Sequence, residues 1–252
     1  MNLLAIETST EFCSLAVCRG DAVSAVHFPA AQRHGETVLE STRQLLAGAD
    51  LVLADLDGIA FGHGPGSFTG LRIACGVTQG LALALDIPVM GIGTLLAVAE
   101  ASGAGKVIAC LDARMGEVYH GLYHRDGASR WIELVAPGLY SPQALPVVDG
   151  DGWTACGTGF GAHAAVLTGR IGATKIAATL PQAVPTARAV LALAKPLFEA
   201  GAGKDAALAL PVYLRDKVAL TEAEREIQRR AGRQVRGNAM DEPGVKTGAK
   251  AR

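Results

Sequence analysis

The sequence has 252 residues, half of them apolar, which is enough for one large domain or two small ones with a sizeable core. Residues 1–214 carry 13 Lys and Arg against 18 Asp and Glu, a net charge of −5, whereas residues 215–252 carry 10 against 6, a net charge of +4. Because residues 1–214 carry a net negative charge, electrostatics gives no reason to expect tight nucleic-acid binding by this chain alone.

The first hundred residues alternate short apolar runs with helical patterns. Strands are predicted at residues 2–6, 12–18, 22–28, 57–62 and 88–92, the second and third forming a hairpin. Helices are predicted at residues 34–47, 68–86 and 94–101. The predicted order is therefore β-β-β-α-β-α-β-α.

A similar series begins after Gly105. Strands are predicted at residues 107–111, 118–123, 131–135 and 153–156, and helices around residues 162–168 and 186–199. Each series opens with a strand that ends in an acid, Glu7 or Asp112, and the next strand closes 14 residues later at Asp21 or Asp126. Such a repeat indicates two related halves.

We therefore predict an α/β protein with the duplicated ribonuclease-H-like fold of actin, the Hsp70 chaperones and sugar kinases, also called the ASKHA fold, built from two βββαβα-type halves. The predicted halves are residues 1–104 and 105–216. Residues 217–252 form a predicted basic, disordered tail, because they are rich in charge, Gly, Lys and Arg.

Cysteine usage and the apolar runs indicate a cytoplasmic protein without a membrane span. The cysteines show no metal-ligand spacing and are predicted to be reduced and buried: Cys13, Cys18, Cys75, Cys110 and Cys156. The N-terminal segment has no basic start and meets Glu7 early, unlike a signal peptide. The longest apolar run, residues 71–85, is interrupted by Arg72 and Gln79, so no span is expected.

A glycine-rich segment, GHGPGSFTG at residues 62–70, joins a predicted strand to a predicted helix. It is either a cradle of backbone N–H groups for an anion or a tight turn in which Ser67 caps the helix. The acid and hydroxyls of residues 7–9 stand where actin-like ATPases place their first phosphate loop. The corresponding loop of the second half, residues 112–116, contains Arg114 and Met115, which would crowd a phosphate. A vestigial nucleotide site is one interpretation, and structural turns are the other; the candidate residues are Thr8, Ser9, Gly64 and Gly66.

The following helix carries four small residues, Gly70, Ala74, Gly76 and Gly80. Each interior glycine costs about 1 kcal/mol relative to alanine, so these positions require a reason. Close packing on the protein's own sheet and close packing against a partner helix are both consistent with the spacing.

Histidine spacing does not favour a metal site. His120 and His124 lie on a predicted strand, about 13 Å apart along it, so they are predicted to be surface residues and not ligands of one ion. No HExxH or GxSxG motif is present, so the sequence supplies neither the nucleophile nor the metal ligands that a peptidase needs.

The segment GPGSFTGLRI at residues 64–73 is the most specific motif. Together with residues 6–10, 80–95, 111–119 and 211–215, in that order, it resembles the TsaB (YeaZ) family over residues 1–215. The family is involved in tRNA threonylcarbamoyladenosine biosynthesis and is paralogous to TsaD. TsaD transfers the threonylcarbamoyl group to adenosine 37 of tRNAs that read ANN codons.

The resemblance implies a subunit without catalytic or metal-binding residues. TsaD-type enzymes carry a metal-binding HxxxH pair, and the corresponding positions here are Thr94 and Val98. The hydroxyl of Thr94 is a poor metal ligand, and Val98 has no ligand atom. No cofactor is implied, and ATP or ADP at the interface with TsaD stays open. The alternative from the residues is a stand-alone actin-like ATPase or kinase.

The resemblance also implies partners. These are a TsaD paralogue in a heterodimer, the ATPase TsaE bound to that pair, a second copy when the chain is alone, and tRNA through the complex only, with no membrane. The glycines of the motif are expected to contact the partner's backbone. The residues implied at the partner interface are His34, Glu36, Val38, Leu39, Thr42, Gly70, Arg72, Ile73, Ala74, Gly76, Val77 and Gly80.

Overall fold

Two five-stranded mixed sheets form the framework in the computed structural model, which describes residues 1–30 and 33–215. The strands of the first sheet are β1 Asn2–Glu7, β2 Phe12–Arg19, β3 Ala22–Pro29, β4 Gly58–Gly64 and β5 Val89–Gly93. Those of the second are β6 Lys106–Asp112, β7 Val118–Arg125, β8 Trp131–Tyr140, β9 Trp153–Cys156 and β10 Ile176–Leu180. The predicted tail at residues 217–252 lies outside the described residues.

The two sheets have the same topology. The first has the order β3-β2-β1-β4-β5, with β1 antiparallel to β2 and parallel to β4. The second has the order β8-β7-β6-β9-β10, with β6 antiparallel to β7 and parallel to β9. Glu7 and Asp112 end the equivalent strands β1 and β6, so the predicted duplication is confirmed.

Five helices cover the sheets: α1 His34–Gly48, α2 Phe68–Leu85, α3 Thr94–Ala101, α4 Thr158–Ile171 and α5 Ala187–Glu199. α1 and α2 cover one face of the first sheet, and α3 and α5 cover the other. Because both of its faces are covered, β1 is buried along almost its whole length. α4 packs on the outer face of the second sheet.

α3 joins the two sheets. Its Ala97 packs in the core of the first sheet, while Leu95 and Val98 pack against the second. α5 lies beyond residue 105 in sequence, yet it packs against the first sheet, where the backbone N–H of Ala187 donates to Ser14 Oγ at 2.9 Å. The predicted boundary at residue 104 therefore separates the strands of the two sheets, while α5 crosses back over it.

Sequence prediction differs from the structure in a few elements. β10 has no counterpart in the prediction, and α4 begins at Thr158, four residues before the predicted helix. All five cysteines are buried free thiols, as predicted. Among the described helices, α2 alone is long and apolar enough to cross a membrane by length and composition. One face of α2 packs in the core of the first sheet through Ala74, Cys75 and Ala82.

Candidate functional site

The loop after β1 lies against the turn that leads into α2. The backbone N–H of Ser67 donates to Ser9 O at 2.7 Å, and Thr8 Oγ1 donates to Gly70 O at 2.8 Å. Ser67 Oγ accepts from the Gly70 N–H at 3.3 Å, which confirms its predicted role as the N-cap of α2. These bonds hold the loop and the helix N-terminus together.

Glycines make this close approach possible. A Cβ atom at Gly62 would overlap Glu7 Oε2, one at Gly66 would lie 2.7 Å from Ser9 Cβ, and one at Gly70 would overlap Thr8 O. Gly64 has a φ of +124° and a Cβ there would overlap the carbonyl of Val212. The expectation that the glycines of the motif contact a partner is therefore wrong for Gly64, Gly66 and Gly70, because atoms of this chain's own residues fill the space there.

Glu7 is buried at the base of this junction, 1% exposed. Its Oε1 accepts the backbone N–H of Ser9 at 2.6 Å. Burial away from water raises the pKa of the Glu7 carboxyl, although the hydrogen bonds from Ser9 act in the opposite direction. The folded protein therefore favours the protonated carboxyl more than the unfolded chain does.

We expect Glu7→Gln to change the pH dependence of stability. Because the folded-state pKa is raised, the stabilisation from a protonated Glu7 is fully present below the unfolded pKa of about 4.3 and is lost as pH rises through the folded pKa. A neutral glutamine has no such loss. The difference in the free energy of unfolding between Glu7→Gln and the wild type should grow with pH in urea titrations between pH 4 and pH 8. A difference that shrinks with pH would contradict the account.

A cleft of about 800 Å³ opens in front of the loop, between the ends of the two sheets. Ser9 and Gly66 line it from the first half, and Asp112, Arg114 and Thr158 line it from the second. Of the four residues predicted for a nucleotide site, Ser9 and Gly66 line the cleft, and Thr8 and Gly64 do not. Thr8 donates its hydroxyl to Gly70 O and Gly64 lies against Val212, so neither of these lines the cleft.

The second loop of the cleft is built differently from a glycine-rich phosphate loop. Arg114 and Met115 have φ of 60° and 55°, in the left-handed region where glycine is usually favoured. Asp112 Oδ1 accepts the backbone N–H of Arg114 at 2.9 Å, and Thr158 Oγ1 accepts the N–H of Asp112 at 3.0 Å. Two large side chains therefore stand where the first half places small residues.

The twelve residues implied at a partner interface divide between the core and the surface of α1 and α2. The buried ones are His34, Val38, Thr42, Gly70 and Ala74. The exposed or half-buried ones, which we call the α1/α2 face, are Glu36, Leu39, Arg72, Ile73, Gly76, Val77 and Gly80. The two helices adjoin at this face, since a Cβ at Gly35 would lie 4.0 Å from Ile73 Cδ1. Binding of a partner there stays a prediction.

Space above the small residues of α2 differs from one position to the next. A Cβ at Gly70 would overlap Thr8 O, and Ala74 is completely buried. Gly76 and Gly80 are exposed, and a Cβ atom at either would meet nothing within 4 Å among the described residues. Packing within the chain therefore explains Gly70 and Ala74, but it does not explain Gly76 and Gly80.

The positions expected from the resemblance to correspond to the HxxxH pair lie on α3. Thr94 and Val98 are completely buried between the two sheets. Within residues 1–30 and 33–215, no group of three or more His, Cys, Asp or Glu side chains has a geometry that could hold a metal ion.

Cys110 and His120 form a thiol–imidazole pair that the sequence pattern does not reveal. Cys110 Sγ lies 3.5 Å from His120 Nδ1, and both residues are completely buried. The prediction that His120 lies at the surface is therefore wrong, because its ring packs in the core of the second sheet. Burial raises the pKa of the Cys110 thiol and lowers the pKa of His120 to about 4. A buried neutral thiol beside a neutral imidazole is not an activated nucleophile.

The family model and the most similar curated proteins that we compared all carry names from tRNA threonylcarbamoyladenosine biosynthesis. The family model "TsaD: tRNA N6-adenosine threonylcarbamoyltransferase" matches residues 28–147. The tRNA threonylcarbamoyladenosine biosynthesis protein TsaB of Escherichia coli (strain K12) is 35% identical over 233 residues, which are 87% of this chain and 96% of that protein. The protein of the same name from Haemophilus influenzae is 34% identical over 230 residues, 86% of this chain and 95% of that protein.

Solved structures support the same grouping. YeaZ from Pseudomonas aeruginosa is 37% identical, with a TM-score of 0.77 over 84% of this chain and 99% of that chain. A Pseudomonas aeruginosa protein described as uncharacterized, with similarity to peptidase YEAZ, is also 37% identical, with a TM-score of 0.78 over 85% of this chain and 99% of that chain. Together with the repeated topology, these likenesses confirm the duplicated ribonuclease-H-like fold.

Proposed function

The chain belongs to the TsaB (YeaZ) family of tRNA threonylcarbamoyladenosine biosynthesis proteins, and on that premise we propose that it is a non-catalytic subunit that binds and activates TsaD. The observation that carries the proposal is the open space above Gly76 and Gly80 on the exposed side of α2. Interior helix glycines cost about 1 kcal/mol each relative to alanine, and nothing within the described chain uses the space that they leave.

A partner helix is the element that fits this space best. Side chains at the contact set the separation of packed helix axes, which is usually 8–10 Å, and glycine permits the close end of that range. Elsewhere on the α1/α2 face, Leu39 is 53% exposed and Ile73 and Val77 are half-buried, which supplies the apolar surface that an interface core needs. The α1/α2 face thus has the composition of a helix-docking surface.

The kind of partner follows from the matched region. Residues 28–147, which match the TsaD family model, include both α1 and α2. A TsaD chain is therefore expected to carry a related pair of helices, and two related pairs can meet about a pseudo-twofold axis. The same geometry would let two copies of this chain pair when TsaD is absent.

The residues that would perform chemistry in TsaD support a non-catalytic role. Val98 has no ligand atom and the Thr94 hydroxyl is a poor ligand, and both are buried. In the loop that follows β6, Arg114 and Met115 stand where the first half has small residues. We assign catalysis and tRNA contact to the partner, place the pair in the cytoplasm, and propose that TsaE binds to the assembled heterodimer.

The proposal is tested by a tRNA modification assay on each protein separately and on the mixture with TsaD and TsaE. We expect no transfer of a labelled threonylcarbamoyl group to tRNA by this chain alone, and transfer that depends on the chain when TsaD and TsaE are present. Transfer by the chain alone would contradict the non-catalytic assignment. A rate that does not change when the chain is omitted would contradict the activating role.

The cleft favours one alternative, a stand-alone actin-like ATPase or kinase. Its volume of about 800 Å³, with Ser9 on one side and Asp112 on the other, could accommodate a nucleotide. Calorimetric titration with ATP separates the two proposals. Micromolar binding that Ser9→Ala or Asp112→Ala abolishes would support the alternative, whereas no binding by the isolated chain supports the subunit proposal.

A further inference from the structure

A C-terminal ribbon, residues 205–213, runs along α2 beside the α1/α2 face. At one end, Gln79 Nε2 donates to Ala206 O and Ala207 O, both at 3.4 Å. At the other end, the backbone N–H of Val212 donates to His63 O at 2.7 Å, and the Tyr213 ring lies 5.2 Å from the Phe68 ring. The ribbon therefore follows α2 from Gln79 back to its first residue, Phe68.

The ribbon exposes apolar side chains next to those of α2. The large hydrophobic residues concerned are between 41% and 61% exposed: Leu83, Leu208, Leu210, Val212 and Tyr213. Isolated exposed apolar residues are ordinary, but this set follows one helix that already has an open small-residue strip. The apolar surface is therefore wider than the two helices alone.

Arg72 is held at the N-terminal end of this surface. Its guanidinium carbon lies 4.2 Å from the centre of the Phe68 ring, and its Nε donates to Tyr213 Oη at 3.3 Å. These contacts use one face of the guanidinium group and its Nε, and neither uses the edge formed by the two terminal nitrogens. A planar fork of this kind recognises a carboxylate with two parallel hydrogen bonds.

We infer that Arg72, held by Phe68 and Tyr213, is the polar anchor of the partner-binding face and pairs with a carboxylate on the TsaD partner, while the ribbon extends the apolar part of that face. The inference rests on the proposed function. Its support is the fixed geometry of Arg72, because an arginine that is already ordered loses less conformational entropy on binding than a free one. Arginine and tyrosine are also the residue types that most often dominate binding energy.

The test is the affinity of the full-length chain for TsaD, measured by calorimetry at several salt concentrations. Arg72→Met keeps an apolar stem over Phe68 and removes the charge, and we expect binding to weaken about 30-fold and to depend less on salt. Tyr213→Phe keeps the ring and removes one hydrogen bond, and we expect a loss of about 2- to 10-fold. Arg188→Met on α5, on the other side of the first sheet, is the matched control and should bind like the wild type.

Two results separate this inference from the proposed function. If Arg72→Met and Tyr213→Phe bind within twofold of the wild type while Gly76→Leu weakens binding, the anchor is wrong and the proposed function stands. If Gly76→Leu also leaves binding unchanged, the α1/α2 face is not the binding surface and the anchor is wrong with it. If the wild-type chain does not bind TsaD at all, the proposed function is wrong. Because the Arg72 side chain is exposed, thermal unfolding of Arg72→Met should match the wild type, which excludes misfolding as the cause of a loss.

Discussion

Gly76→Leu and Gly80→Leu are expected to weaken binding to TsaD while leaving this chain folded. In the free chain, a side chain at either position enters open space, and leucine is a better helix former than glycine. The free energy of unfolding should therefore rise by about 1 kcal/mol. In the heterodimer, the same side chain would separate the helices. Since overpacking costs about 1–3 kcal/mol, the affinity for TsaD should fall about 10- to 100-fold.

The two measurements for this prediction are urea unfolding of the isolated chain and calorimetric titration with TsaD. Leu83→Ala is a useful comparison on the same helix, since Leu83 is 60% exposed and its truncation inserts nothing. A Gly76→Leu chain that binds TsaD with wild-type affinity would show that the partner does not approach α2 closely. An unstable Gly76→Leu chain would show that the space above α2 is filled within the chain.

Gly70→Ala and Gly76→Ala should change stability in opposite directions, although both replace glycine in the same helix. At Gly70 the added methyl would overlap a backbone carbonyl oxygen, that of Thr8, which cannot move without breaking the loop contact at Ser9. We expect a loss of about 3 kcal/mol, at the upper end for overpacking. At Gly76 the methyl meets nothing within 4 Å among the described residues, so the helix should gain about 1 kcal/mol.

Chemical denaturation of the two variants at one pH measures this contrast directly. Gly62→Ala provides a further comparison, because its methyl would meet the side chain of Glu7 and not a backbone atom. Its loss should be partly recovered by Glu7→Ala, whereas no side-chain change can recover Gly70→Ala. Equal stability of Gly70→Ala and Gly76→Ala would contradict the division of α2 into an internal and an external contact surface.

Much of the fold could be predicted because local patterns and the repeat agree. β1 and β6 are apolar runs that end in an acid, and each is followed by a hairpin and by helices with a clear apolar side. β10 escaped prediction because its five residues, IAATL, form an exposed edge strand with small side chains and no alternation. The register of such a strand is set by its neighbour β9 and not by its own pattern.

The candidate site was only partly predictable, since sequence spacing does not distinguish an internal contact from an external one. Gly70 and Gly76 look alike in the sequence, and only the position of the loop at Thr8 separates them. The prediction of a surface position for His120 is wrong for a similar reason. A strand covered on both faces buries polar positions that alternation would assign to solvent, and His120 is accommodated because Ala109 O and Cys110 Sγ lie near its Nδ1.

Site-specific photocrosslinking tests the central claim, that TsaD binds the α1/α2 face, most directly. A benzoylphenylalanine replaces Leu39 on α1, which is 53% exposed, or Val166 on α4, which is 39% exposed and serves as the control. After irradiation of the full-length chain with TsaD, we predict a crosslinked heterodimer from position 39 and none from position 166. A crosslink from position 166, or none from position 39 under conditions where the proteins co-elute, would contradict the account.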